Sequence, residues 1–150
     1  MLFRSLNKAS PVIGMSLRFD RIDNFWFVLR HECAHVLYDH GQDAAIVDSE
    51  LEQQGENISQ EETVANSDAA EFCIPQAKMT SFYLRKNPFF SERDVLAFAK
   101  IMKVHPGLVV GQLQRLLGRY DLLRKHLVSI RNHVAKSALV DGWGDVIPVG

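Results

Sequence analysis

Residues 31–35 read His-Glu-Cys-Ala-His and place two histidines four positions apart. Residues at this spacing lie on one face of a helix, so both imidazole rings can converge on one metal ion. Neutral imidazole is a ligand that suits zinc. Glu32 follows the first histidine and is placed to take a proton from a zinc-bound water, whose pKa the metal lowers towards ~7. The pattern predicts a hydrolytic zinc site with His31 and His35 as ligands and Glu32 as general base.

Valine and leucine lie on both sides of this motif, at 28–29 and again at 36–37. Such flanks predict a buried helix, which holds metal ligands in fixed positions better than a mobile one. Cys33 lies about 200° from His31 around the helical axis. The thiol of Cys33 is therefore expected to pack in the core rather than to bind the metal.

A zinc site of this kind needs a third protein ligand, and the sequence offers four candidates: Asp39, His40, Glu61 and Glu62. His40 lacks the spacing and the glycine of the metzincin type of site. Asp39 follows the second histidine by four residues, which is close in sequence for completing a tetrahedron. Glu62 is favoured over Glu61 because Asn66, four residues on, shares its helix face and can orient a ligating histidine.

Two elements are predicted around the motif. Apolar residues alternate with small or polar ones between Val12 and Phe19, which is the period of a half-buried strand. Residues 20–24 offer turn and N-cap chemistry for the helix that carries the motif, roughly residues 22–39. Residues 40–58 are polar and acidic and are predicted to form a loop.

The rest of the chain is predicted to be mainly helical. Ser59 and Glu62 form a capping-box pattern that opens a helix over about 60–73, and three alanines in it allow close packing against the motif helix. Further helices are predicted over about 75–84, 91–103, 106–118 and 121–137. The predicted fold class is α+β, a small sheet followed by a mostly helical body, in one domain over residues 1–150.

The composition indicates a soluble globular chain. It has 150 residues, 47% of them hydrophobic, and a net charge of −1, which gives no case for binding nucleic acid or membrane through the whole chain. Residues 1–75 carry 5 Lys/Arg against 13 Asp/Glu, whereas residues 76–150 carry 12 against 5, so the two halves are expected to attract each other. Two cysteines and the lack of a signal peptide or a long apolar run predict a cytoplasmic location.

With these residues placed, the chain resembles the ImmA/IrrE family of zinc metallopeptidases. The resemblance rests on HECAHVL at 31–37 and ETVANSDAAEFCIP at 62–75, and it covers roughly residues 11–110. The family reads approximately HE-x-x-H, then E-x-x-A-N/D-x-F-A-x-x-L-L-M/I-P. The resemblance implies a zincin-like fold and one Zn²⁺ held by His31, His35 and Glu62, with Glu32 as the catalytic residue.

The implied function is a zinc-dependent endopeptidase that cleaves a protein partner such as a transcriptional regulator, a repressor or a toxin. The chain is also similar to the C-terminal domain of long HigA-type antitoxin regulators, which implies the alternative of a zinc-binding regulatory domain with little or no hydrolysis. In that setting the chain is the C-terminal module of a longer regulator, and DNA is bound only through a module absent from this chain. No membrane partner is expected, and a homodimer is considered. Asp68 departs from the family pattern and puts peptidase efficiency in doubt more than zinc binding.

Residues 99–113 also have roughly the spacing of a helix-turn-helix, with lysines and arginines nearby. If this segment bound DNA, the residues reading bases would be Gln112, Gln114 and Arg115. Two packed helices with solvated basic faces are commoner, and this interpretation is preferred. Tyr83 and Tyr120 are both able to stabilise an oxyanion in a hydrolase, and nothing in the sequence selects either one.

Overall fold

The computed structural model describes residues 3–5, 11–15, 19–40 and 57–134. The chain begins with two antiparallel strands, β1 (Phe3–Ser5) and β2 (Val12–Gly14), with Arg4 opposite Ile13. The strand expected over 12–19 is therefore shorter than predicted, and residues 16–18 of it lie outside the described residues. Its partner β1 lies in a segment for which no element was predicted.

Helices make up most of the described chain after the sheet. They are α1 (Ile22–Leu37), α2 (Asn57–Cys73), α3 (Gln76–Lys86), α4 (Glu92–Met102), α5 (Pro106–Leu117) and α6 (Arg131–Val134), with a 3-10 turn at Arg124–His126. The small sheet and mostly helical body agree with the predicted order of elements. Within the described residues, no helix is long and apolar enough to cross a membrane.

Two helix boundaries differ from the sequence prediction. Helix α2 begins at Asn57, so Ser59 lies inside the helix and is not its N-cap. The single helix predicted over 121–137 is wrong within residues 121–134, where a 3-10 turn is followed by the short α6. Asp20 explains the break, because its carboxylate accepts hydrogen bonds from the backbone N–H groups of Ile130 (2.9 Å) and Arg131 (2.8 Å) and starts a new helix there.

The hydrophobic core is formed by the end of α2 together with α3, α4 and α5. Its buried side chains are Cys73, Ile74, Met79, Phe82, Phe90, Val95, Phe98, Ala99, Val109, Val110 and Leu113. The rings of Phe82 and Phe98 stack with centroids 4.3 Å apart and planes 7° from parallel. Burial raises the pKa of the Cys73 thiol to about 11, so this sulfur is a core group that stays protonated at neutral pH.

The N-terminal end of α1 is fixed on α5 by a buried carboxylate. Asp23 is 5% exposed and accepts two hydrogen bonds from the Arg21 guanidinium, at 2.7 and 3.0 Å. Gly111 of α5 makes room for it, because a Cβ atom added there would lie 2.3 Å from Oδ2 of Asp23. This contact sets where the motif helix lies relative to the core.

Candidate metal centre

The motif lies in the last half of α1, as the sequence predicts. Helix α1 starts after Arg21, whose side chain makes no capping hydrogen bond, so the side-chain N-cap expected within 20–24 is not at that position. Asp23 in the first turn and His35 in the last turn favour the helix through its macrodipole. Glu32 and His35 are buried, and the half-buried His31 lies one turn before His35.

Close packing of α2 against α1 brings Glu62 to the two histidines. Ala34 of α1 and Ala65 and Ala69 of α2 are all 0% exposed, so the contact between the helices is lined with small side chains. Such side chains let two helix axes approach closely. The alanine pattern seen in the sequence therefore serves the purpose that was predicted for it.

Three side chains converge at this contact. The Nε2 atoms of His31 and His35 are 3.0 Å apart, and the two carboxylate oxygens of Glu62 lie 3.2 Å from Nε2 of His31 and 3.1 Å from Nε2 of His35. Tetrahedral zinc with bonds of roughly 2.0–2.1 Å places its ligand atoms about 3.3–3.4 Å apart. The separations among the two imidazole nitrogens and the carboxylate group of Glu62 are therefore close to those between the ligand atoms of a zinc ion.

The chemistry of this donor set also fits a cation. Two neutral Nε2 atoms at 3.0 Å with both lone pairs turned inwards repel each other unless a proton or a metal ion lies between them. The His35 side chain is 3% exposed and that of His31 14% exposed, whereas the Glu62 side chain is 47% exposed. The opening of the site to solvent is therefore on the side of Glu62.

The outer nitrogens of the two histidines have different surroundings. Nδ1 of His35 lies 3.2 Å from Nδ1 of His40. Nδ1 of His31 is buried without a hydrogen-bond partner among the described residues, and its ring stacks on Phe27 at a centroid distance of 6.3 Å. His35 is therefore held by a contact with a second imidazole, whereas His31 is held by ring stacking.

The other candidates for a third ligand do not join the convergent group, which contains only His31, His35 and Glu62 among the described residues. Asp39 is exposed and follows the end of α1, where it adopts the left-handed backbone conformation with a φ of 56°. Glu61 lies next to Glu62 but is not in the group, and Cys33 is a half-buried free thiol outside it.

The residue that contacts the outer nitrogen of His35 is not the expected Asn66. Asn66 is exposed, and His40 makes the contact with His35. From its place in the sequence, His40 was a candidate only as a metal ligand. Its position five residues after His35 is the separation of the longer hydrogen bond in a Schellman helix cap, and this spacing was the signal that could have identified it.

Asp68, the departure from the family pattern, connects the two helices of the site. Its carboxylate accepts hydrogen bonds from the guanidinium of Arg30 at 2.7 and 3.2 Å and from the hydroxyl of Tyr38 at 3.2 Å. The hydrogen bond to Asp68 also raises the pKa of Arg30. This second carboxylate therefore belongs to an ion pair beside the site rather than to the convergent group.

The base-reading residues proposed for a helix-turn-helix are engaged in packing. Gln114 is 0% exposed and donates to the carbonyl oxygens of Tyr120 (3.2 Å) and Leu122 (2.7 Å), so it cannot reach a base and this assignment is wrong. Gln112 donates to the carbonyl of Ala70 at 3.2 Å. The guanidinium of Arg115 lies 4.3 Å from the ring centroid of Phe27.

The two tyrosines considered for oxyanion stabilisation lie in different surroundings. The ring of Tyr83 packs against Phe90 at a centroid distance of 5.6 Å, at the edge of the core. Tyr120 is 62% exposed after the end of α5. Neither hydroxyl donates a hydrogen bond to the convergent group in the part of the chain that the structure describes, so the geometry supports neither assignment.

Comparison with known proteins gives one result. The sequence model of the peptidase family M78, described as an IrrE N-terminal-like domain, matches residues 2–98. The matched range contains the HECAH motif and Glu62. No curated protein and no solved structure matches the chain.

Proposed function

Since the chain belongs to the peptidase family M78, we propose that it is a zinc-dependent, zincin-like endopeptidase domain that hydrolyses a peptide bond in a protein partner. The observation that carries this proposal is the convergence of His31, His35 and Glu62 within 3.0–3.2 Å of one another. Their chemistry is that of a catalytic zinc site, with three protein ligands and a fourth position for water.

The residues of the chain have separate roles in this reaction. Zinc, when bound, lowers the pKa of its water towards ~7 and polarises a carbonyl group. His31, His35 and Glu62 would hold the ion. Glu32 accepts the proton of the attacking water and returns it to the leaving amine, a role that contributes typically ~10²–10⁴-fold to a rate. Glu32 is 7% exposed, so bulk water has little access to its carboxyl group.

The alternative function is a zinc-binding regulatory domain of a HigA-type antitoxin regulator with little or no hydrolysis. The presence of Glu32 favours the peptidase, because a purely structural metal site has no use for a general base. A regulator or toxin as partner, a cytoplasmic location and a homodimer stay predictions in either case.

Metal content tests the proposed site. Purified protein should contain one zinc per chain, and His31→Ala or His35→Ala should remove it. Glu62→Gln should weaken zinc affinity by more than about tenfold, whereas the matched variants Glu61→Gln and Asp39→Asn should change it little. Equal losses in all three carboxylate variants would show that Glu62 is the wrong ligand.

The Glu32→Gln variant separates the enzyme from the regulator. It should keep its zinc and its melting temperature while cleavage is lost. Profiling of new protein N-termini in cells that produce wild type or Glu32→Gln should show at least one cleavage site that depends on Glu32. Identical profiles from two zinc-loaded proteins, together with loss of biological activity in His35→Ala alone, would establish the regulatory alternative.

A further inference from the structure

His40 lies directly behind His35 as seen from the convergent group. The two Nδ1 atoms are 3.2 Å apart, and the ring centroids are 5.2 Å apart with the planes at 71°. A hydrogen bond between two imidazole nitrogens needs one N–H group and one lone pair. The tautomers of the two rings are therefore linked.

The metal site fixes the direction of this hydrogen bond. Nε2 of His35 points to Glu62 and must offer a lone pair to bind a metal ion, so the single hydrogen of the neutral ring is on Nδ1. His35 is then the donor and Nδ1 of His40 the acceptor. The hydrogen of the neutral His40 ring follows on Nε2.

The end of α1 is built to place His40 in this position. Asp39 adopts the left-handed conformation with φ 56°, and the N–H of His40 donates to the carbonyl of His35 at 2.9 Å. The N–H of Asp39 donates to the carbonyl of Val36 at 3.3 Å, which completes a Schellman cap. The cap turns the chain back over His35. Both the backbone N–H and the side chain of His40 therefore contact His35.

His31 provides the internal contrast. Its buried Nδ1 has no hydrogen-bond partner among the described residues, and its ring is restrained by the stack on Phe27. A hydrogen bond that orients a ligand is therefore seen on one of the two histidines. This difference assigns a specific effect to His40.

We propose that His40 is a positioning residue of the metal centre, which accepts a hydrogen bond from Nδ1 of His35 and thereby keeps Nε2 of His35 turned towards the metal position. The proposal rests on the zinc site described under the proposed function. Metal-ligating histidines commonly donate their outer N–H to a carboxylate, a carbonyl or water. In this chain a second imidazole takes that place, and a helix cap supplies it.

Three variants separate the hydrogen bond from simple packing. His40→Phe keeps an aromatic ring and removes the acceptor, whereas His40→Asn puts an amide oxygen close to the former Nδ1 position. His133→Phe, at an exposed position of α6, is the matched control. Zinc affinity is measured by competition with a chromophoric chelator, and the visible spectrum of the Co²⁺-substituted protein reports ligand geometry.

We expect His40→Phe to weaken zinc affinity by about 10–100-fold and to change the Co²⁺ spectrum. His40→Asn should recover most of the affinity and the wild-type spectrum, and His133→Phe should match wild type. A packing role alone would leave zinc affinity close to wild type in His40→Phe and weaker in His40→Asn. That result, or an equal loss of affinity in His40→Phe and His40→Asn, would overturn the proposal.

The ¹⁵N resonances of the imidazole rings test the tautomers in the unmodified zinc-loaded protein. His35 should be protonated at Nδ1 and His40 at Nε2. A hydrogen on Nδ1 of His40 would contradict the proposal and leave the zinc site intact. A wild-type protein that binds no zinc would overturn the proposed function as well, so the two failures are distinguishable.

Discussion

Two regions of the molecule bury different kinds of side chain. The metal-centre layer consists of α1 and residues 57–70 of α2, and the helical body consists of residues 73–117. The layer buries the alanines at 34, 65 and 69 together with the carboxyl group of Glu32 and the imidazole of His35. The body buries aromatic and large aliphatic groups such as Phe82, Phe98 and Leu113.

This difference indicates that the two regions contribute unequally to the free energy of folding. Burial of apolar area stabilises by about 25 cal/mol per Å², and alanine has little area to bury. The layer gains close helix packing from its alanines and further stability from its polar contacts, and the proposed metal ion would add to these. The body supplies the stability that holds the layer in position.

Shortening a core side chain should have the largest effect. Leu113→Ala removes a 0% exposed side chain from the body and should lower the free energy of unfolding by about 2–5 kcal/mol. Leu116→Ala, on the same helix but 57% exposed, should change it by less than about 0.5 kcal/mol. Urea unfolding measures both, and equal losses would contradict the location of the core.

Removal of the metal should affect the layer and spare the body. Bound zinc at a free concentration of about 100 times Kd stabilises by roughly 2.7 kcal/mol, and chelation removes this contribution. Hydrogen exchange should speed up in α1 and in residues 57–70, with α4 and α5 unchanged. Uniform acceleration along the chain would break the distinction between the two regions.

A methyl group at the joint between the regions should have a smaller effect. Gly111→Ala places a Cβ atom 2.3 Å from Oδ2 of Asp23 and should cost about 1–3 kcal/mol through overpacking. The double variant Asp23→Ala with Gly111→Ala should lose less than the sum of the single variants, since the first change makes room for the second. Strict additivity in urea unfolding would show that the two residues do not share this space.

The ion pair within the layer should contribute less. A double-mutant cycle on Arg30→Met and Asp68→Asn should give a coupling energy of about 0.2–1 kcal/mol, because both side chains are partly exposed. The exposed pair Arg119–Asp121 is the matched control and should give coupling near zero. Coupling of the same size in both pairs would mean that the Arg30–Asp68 pair contributes nothing specific to the site.

The smallest expected effect is a change in the pH dependence of stability, and it comes from a carboxyl group in the helical body. Hydrogen bonds from Lys125 and then from His126 lower the pKa of Glu92. A depressed carboxyl pKa stabilises the fold above the pKa of the unfolded chain, and this contribution is lost as the pH falls through the folded value. The melting temperature of Glu92→Gln should therefore lie slightly below that of wild type at pH 7, with the gap closing under acid conditions. A gap independent of pH would contradict the ionic origin.

The local part of the site could be predicted because it depends on the helix repeat alone. Two histidines four apart need one helix, and α1 is that helix. Glu62 depends on how two helices pack, and the alanines of α2 together with the family resemblance were enough to choose it. The observed convergence agrees with this choice.

The remainder depends on tertiary contacts that have no sequence period. Asp23 and Gly111 are 88 residues apart in sequence and meet only in the fold. The burial of Gln114 follows from the turn after α5, which offers it two carbonyl groups. The role proposed for His40 was not predicted, because it depends on a left-handed backbone at residue 39, and an aspartate does not by itself indicate that conformation.

The left-handed backbone at Asp39 also has a consequence for sequence variation. A φ of 56° favours glycine and tolerates asparagine and aspartate, whereas β-branched residues are strained there. Codons for glycine and for asparagine each differ from an aspartate codon by a single base, so aspartate can be exchanged for either residue without an intermediate. Aligned homologues should therefore vary among glycine, asparagine and aspartate at this position. The presence or absence of a carboxylate at residue 39 among homologues would then reflect the backbone geometry of the helix end and not a role in metal binding.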